Sequence, residues 1–200
     1  MIPAFDRLLN YPLDRMVKGV VRFVSFDKEN LWPNKVIVRE NDVMFEGADI
    51  MAQLLSGHSE FAVSTMYLEF KNLAAPGDVI VPPVFDRTGG VDYYNGLIGS
   101  PDIDFLRVPL LIGPTLSSSG SSYAGNQVTF YAQSEGTTGF HGKTFDASAN
   151  SAVFGAALVS TPSPSDQSQD RVWARLYTGI DKVLKQTGYE IGVTWMARFN

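Results

Sequence analysis

The 200-residue chain has no cysteine, which excludes disulfides and thiolate metal sites. Charge is scarce as well: 18% of residues, against the roughly 25% usual in soluble domains. A surface so poor in charge fits one partly covered by other protein. The net charge of −5 provides no broad attraction to nucleic acid or anionic lipid, so no nucleic-acid partner is expected. No apolar run reaches the roughly 18 residues of a spanning helix, so no membrane insertion is expected either. The first ten residues lack a basic start followed by an apolar run, so no signal peptide is expected. Histidine occurs only at positions 58 and 141.

What is abundant is alternation. Residues 189–199 read Tyr-Glu-Ile-Gly-Val-Thr-Trp-Met-Ala-Arg-Phe. Ile191, Val193, Trp195, Ala197 and Phe199 fall on one side, and Glu190, Thr194 and Arg198 on the other. That period of two predicts a half-buried strand. The same alternation predicts strands at 63–70, 126–134 and 171–177; further strands are predicted at 35–39 and 103–112, and 151–159, apolar and rich in small residues, reads as a central strand. Pro109 marks an edge or a bulge. Residues 17–26, rich in Val and Phe, read as a strand buried on both faces. One helix is predicted over 45–56. Phe45, Ala48, Met51 and Leu55 share its core face, Leu54 lies beside them, and Gly57 caps its end. The expected fold is mainly β, an antiparallel sandwich or jelly roll with this one short helix. Residues 16–200 are expected to form a single β-rich domain, preceded by a segment at 1–15 that either packs or docks as an arm.

Candidate chemistry is thin. A triad needs a histidine oriented by a carboxylate beside a serine, and no Gly-x-Ser-x-Gly elbow accompanies His58 or His141. Asp102 and Asp104 share a strand face, as a glycosidase pair could, but nothing nearby would push their pKa values apart. Asp166 and Asp170 stand at positions 1 and 5 of a calcium-type loop whose positions 6 and 12 are Arg171 and Tyr177 rather than Gly and Glu. No catalytic residue, metal or cofactor is therefore expected. The predicted outer face of 171–177 carries Arg171, Trp173, Arg175 and Tyr177. Trp, Tyr and Arg are the usual anchors of binding surfaces. That face is open to three readings: cover by the chain's own loops, subunit contact, or sugar stacking. The expected contact residues are Trp173, Arg175 and Tyr177, with Phe5, Leu8 and Leu9 of the N-terminal segment.

Four segments carry a family resemblance. They are Phe45-Glu-Gly-Ala-Asp-Ile-Met-Ala-Gln-Leu-Leu-Ser-Gly57, Met66-Tyr-Leu-Glu-Phe-Lys-Asn72, Asp104-Phe-Leu-Arg-Val-Pro109 and Ile191-Gly-Val-Thr-Trp195. With them the chain resembles the small structural proteins of tailed-bacteriophage virions. The resemblance implies a non-enzymatic part of the tail, baseplate, fibre or head–tail region, assembled in the host cytoplasm. Its implied partners are copies of itself and other virion proteins. A carbohydrate-binding jelly roll that grips a host-surface glycan is the alternative, and a glycan hydrolase using Asp102 or Asp104 is a third.

Overall fold

A computed structural model of the chain describes residues 17–40, 42–43, 47, 52–58, 62–81, 91–96, 102–117, 127–134, 136–161, 166–178 and 180–199. The strands are β1 (Val17–Asp27), β2 (Pro33–Glu40), β3 (Asp42–Val43), β4 (Val63–Asn72), β5 (Ile103–Pro109), β6 (Ile112–Ser117), β7 (Gln127–Gln133), β8 (Ser151–Ser160), β9 (Arg171–Tyr177), β10 (Val183–Leu184) and β11 (Tyr189–Phe199). One six-residue helix, α1, covers Val91–Gly96. Two antiparallel sheets pack together. The first runs β2-β1-β11-β7-β6 and the second β3-β9-β8-β4-β5, with β10 paired to β8. The expected antiparallel sandwich is what the chain forms.

The closing strand lies inside the first sheet, between β1 and β7. Its alternation does what it predicts: Ile191, Val193, Trp195 and Ala197 are buried against Val21, Phe23, Phe130 and Ala132. From the second sheet Met66, Leu68, Phe70, Ala156, Leu158, Ala174 and Leu176 meet them. Each large apolar side chain buried here contributes about 1.5–3 kcal/mol.

The predicted strand at 103–112 is in fact two. Leu110 donates its N–H to Ser64 of the second sheet, and Leu111 donates its own to Tyr131 of the first. Pro109 lacks an N–H and ends the β5 ladder, so the chain changes sheets there.

Residues 17–26 are not buried on both faces. Val21, Phe23 and Ser25 are buried, whereas Val20, Val24 and Phe26 are only half-covered and Arg22 is exposed. No described element lies over the outer side of the first sheet. Of the predicted helix, Gly47 and 52–55 are described as helical and Gly57 ends it with φ +93°, the left-handed cap a glycine favours. Leu55 is 86% exposed, so it is no core residue. Phe45, Ala48 and Met51 lie outside the described residues.

At the rim of the first sheet Glu190 accepts hydrogen bonds from Ser134 Oγ (2.6 Å), Lys28 Nζ (2.5 Å) and Lys185 Nζ (3.2 Å). Burial raises its pKa, but the bonds from Lys28 and Ser134 and the charge of Lys185 outweigh that and lower it below the ordinary 4.5. A carboxylate with a depressed folded pKa adds stability above its unfolded value and loses it as pH falls. Glu190→Gln should therefore flatten the acid limb of stability below about pH 4.5, by less than about 1 kcal/mol because Lys28 is half in water. Urea midpoints at about pH 7 and about pH 3 would read this. An identical loss in wild type and variant would count against it.

Candidate functional site

The outer face of the second sheet is covered, and it holds the most concentrated chemistry among the described residues. α1 and residues 73–80 lie over it, with Leu73, Ile80 and Tyr94 packed on Tyr67, Ile103, Phe105, Phe154 and Ala157. Glu69 of β4 and Arg175 of β9 meet above β8, bridging two strand spacings, roughly 10 Å. Gly155 and Ala157 keep that space open. A Cβ on Gly155 would stand 3.0 Å from Glu69 Oε2. Arg175 Nε and Nη2 donate to Glu69 at 2.6 and 2.5 Å, and both residues are buried. Tyr94 donates to Glu69 Oε1 at 2.8 Å. The Tyr93 hydroxyl accepts from Arg175 Nη2 at 3.0 Å, and the guanidinium also lies 4.5 Å from the Tyr93 ring centre. Burial and the Glu69 charge push both phenols well above their ordinary pKa, so they stay protonated donors. Burial disfavours the Arg175 charge, but Glu69 outweighs it and keeps the guanidinium ionised.

Asp170 forms a second closed unit. Arg107 grips it with two bonds, Nε at 3.0 Å and Nη2 at 2.7 Å, and the Tyr67 hydroxyl donates to it. Burial works against the Arg107 charge, yet the Asp170 carboxylate holds its pKa above the usual value. Both carboxylates are thus fully engaged with fixed cations and phenols.

The expected surface of β9 is therefore not a surface. Arg175 is buried beside Glu69, and Tyr177 is half-buried, its hydroxyl donating to the Ile80 carbonyl at 3.3 Å. Trp173, 6% exposed, is on the opposite side from the one predicted. The β8–β9 register shifts between Leu158 and Val159, so Ala174 faces Leu158 and Val172 faces Val159. That bulge turns Trp173 into the inter-sheet core beside Ala174 and Leu176 and leaves Val172 in the outer cluster. Phe5, Leu8 and Leu9 lie outside the described residues.

The other candidates have structural duties. Asp102 is exposed while Asp104 is buried, so they form no pair. Asp104 accepts N–H bonds from Phe105 (2.8 Å), His141 (3.0 Å) and Lys143 (3.0 Å), pinning the 136–146 loop. Gly139 lies so close that a Cβ would stand 2.4 Å from Asp104 Oδ2. The His141 Nε2 lies 2.9 Å from the Tyr94 carbonyl oxygen, and its ring stands edge-on to Phe105. The backbone N–H of His58 closes the helical turn onto Gln53. Asp166 accepts from Ser168 and Gln169 in a short 3-10 turn at Gln167–Gln169, while Asp170 points into the sheet, so the two do not converge.

Two open features lie on the first sheet. One is the β1–β2 connection. Asp27 Oδ1 accepts from the N–H of Glu29 and Asn30, and Asn30 Oδ1 accepts from that of Trp32. Asp27 and Trp32 also bond through the backbone at 3.1 Å. This stiff turn holds Leu31 at φ +58°, a conformation costing about 1–2 kcal/mol in a branched residue. Leu31 is 68% and Trp32 75% exposed. Val36 and Val38 of the edge strand β2 extend the apolar strip. The other feature is a groove of about 590 Å³ lined by Arg22, Val24, Phe26, Tyr131, Gln133 and Thr194, among others. Gly192 forms its floor, where a Cβ would stand 2.8 Å from the Tyr131 hydroxyl and 3.2 Å from the Phe26 ring. Leu31 and Pro33 also line the groove, so the two features are continuous.

No family model, curated protein or solved structure matches the chain. Sequence reasoning passed over Leu31-Trp32. The readable signal was two large apolar residues between an Asp-Lys-Glu-Asn turn and a proline, where turn residues are normally polar.

Proposed function

We propose that the chain is a structural subunit that assembles through repeated protein–protein contacts and catalyses no reaction. The observation carrying this reading is the rigid β1–β2 turn that holds Leu31 and Trp32 in water, continuous with Val36 and Val38. Exposed apolar strips of this kind mark contact sites, and a protruding Trp is a typical anchor. Pro33 and Lys35, whose side chain is on the inner side with Ile37, guard the β2 edge against strand addition. The contact is therefore made by side chains on the sheet face. The resemblance to tailed-phage virion proteins suggests the kind of particle, with other copies and other virion proteins as partners. The closed pairing of Glu69 and Asp170 favours a non-enzymatic role.

Trp32→Ala is expected to weaken self-association by about 2 kcal/mol or more and leave the melting temperature nearly unchanged. Sedimentation at several protein concentrations measures this. A wild-type protein that stays monomeric throughout would defeat the assembly reading.

The groove favours a second reading, a saccharide site. Tyr131 and Phe26 offer ring faces, Gln133 and Thr194 offer neutral hydrogen bonds, and Arg22 has no carboxylate partner among the described residues. A glycan array on the purified protein separates the readings, since a purely structural subunit leaves it blank.

A further inference from the structure

We propose that a polar cleft at one end of the sandwich binds a small oxyanion, phosphate or sulfate, either free or carried on a small molecule. The cleft measures about 360 Å³. Ser25 of β1 and its ladder partner Lys35 of β2 form one wall, with Asn34 beside them. Lys182, β10 and Gln186 form the other. Among the described residues no carboxylate lines it. The nearest acids in sequence are engaged elsewhere: Asp181 pairs with Arg39, and Asp78 accepts the Ala75 N–H.

The two ammonium groups are only partly satisfied. Lys35 Nζ donates to the Lys182 carbonyl at 2.8 Å, and Lys182 Nζ donates to the Asp78 carbonyl. An ammonium has three donors, so each keeps capacity for a further acceptor. The first bond draws the Lys35 charge onto the Lys182 backbone, which concentrates positive charge at the cleft. Asn34 Nδ2 donates to Gln186 Oε1 at 2.8 Å, which fixes both amides at the mouth. Lysine binds phosphate as a point charge and needs no fork geometry.

The deciding observation is Ser25. It is 1% exposed, and its buried hydroxyl has no hydrogen-bond partner among the described residues. An unmade bond at a buried hydroxyl costs about 1–3 kcal/mol. Its neighbours on the same face, Val21 and Phe23, are apolar, so an apolar residue would fit here more cheaply. An anion seated between the lysines supplies the missing acceptor.

Thermal melts and calorimetric titration of the whole chain test this, with sodium phosphate against sodium chloride at equal ionic strength. Phosphate should raise the melting temperature saturably and chloride should not. Ser25→Ala, without phosphate, should melt no lower than wild type, because the hydroxyl it removes satisfies nothing. The same variant should bind phosphate roughly tenfold more weakly, as should Lys35→Gln. Tighter binding of glycerol 3-phosphate than of inorganic phosphate assigns the site to a carried phosphoryl group; equal binding assigns it to the free ion. No saturable phosphate effect, equal binding by both variants and wild type, or a Ser25→Ala protein that melts lower would each overturn the proposal.

Discussion

Glu69→Ala should cost about 3–5 kcal/mol of folding stability, because it strands the Arg175 guanidinium in a dry site. Arg175 is 4% exposed and cannot turn to water without unpacking α1. The converse change, Arg175→Ala, should cost a similar amount by leaving the carboxylate with only phenol donors. The pair itself contributes much less than either figure, since desolvating two ions offsets most of their attraction. Glu69→Met combined with Arg175→Met should recover most of the loss. What remains is the orphaned Tyr94 hydroxyl, worth about 1–3 kcal/mol. Adding Tyr94→Phe should recover that as well. Urea denaturation of the four proteins measures the series. Strict additivity of the two single losses would show that the charges do not interact as the geometry requires.

Trp173→Ala should lower stability by about 3–5 kcal/mol, the range for emptying a large buried aromatic site. For a chain of this size that is a fall of roughly 6–20 °C in melting temperature. Below the transition, the variant should sediment like the parent. Trp32→Ala should behave in the opposite way, with association weakened and melting preserved. The two tryptophans thus form a crossed pair. A Trp173→Ala protein that melts normally but dissociates would place that side chain on an interface and contradict its burial.

The pattern of two carried most of the architecture. It located β4, β7, β9 and β11, because alternation reflects one buried face directly, while β1 and β8 read from their apolar runs and β3, β6 and β10 had no separate signal. It failed where a face is covered by something far away in sequence. In β9, Arg175 reads as an outward polar residue, yet its partner Glu69 is 106 positions earlier. In β1, Val20, Val24 and Phe26 read as buried, but no described element crosses them. Trp173 was misplaced for a different reason. A single bulge reverses the sides of the residues beyond it, and no local signal in Arg-Val-Trp-Ala-Arg marks one. The candidate surface was less legible than the fold. Leu31 and Trp32 stand out only once the turn around Asp27 and Asn30 is seen to hold them away from the core.

β11 fills the gap between β1 and β7, so the first sheet has no continuous ladder until residues 189–199 have left the ribosome. Until then the open edges of β1 (ending at Asp27) and β7 (starting at Gln127) wait about 100 residues apart in the chain, a condition that favours slow closure and mispairing. During synthesis the first sheet is thus most vulnerable to aggregation in the interval between the emergence of β7 and that of β11.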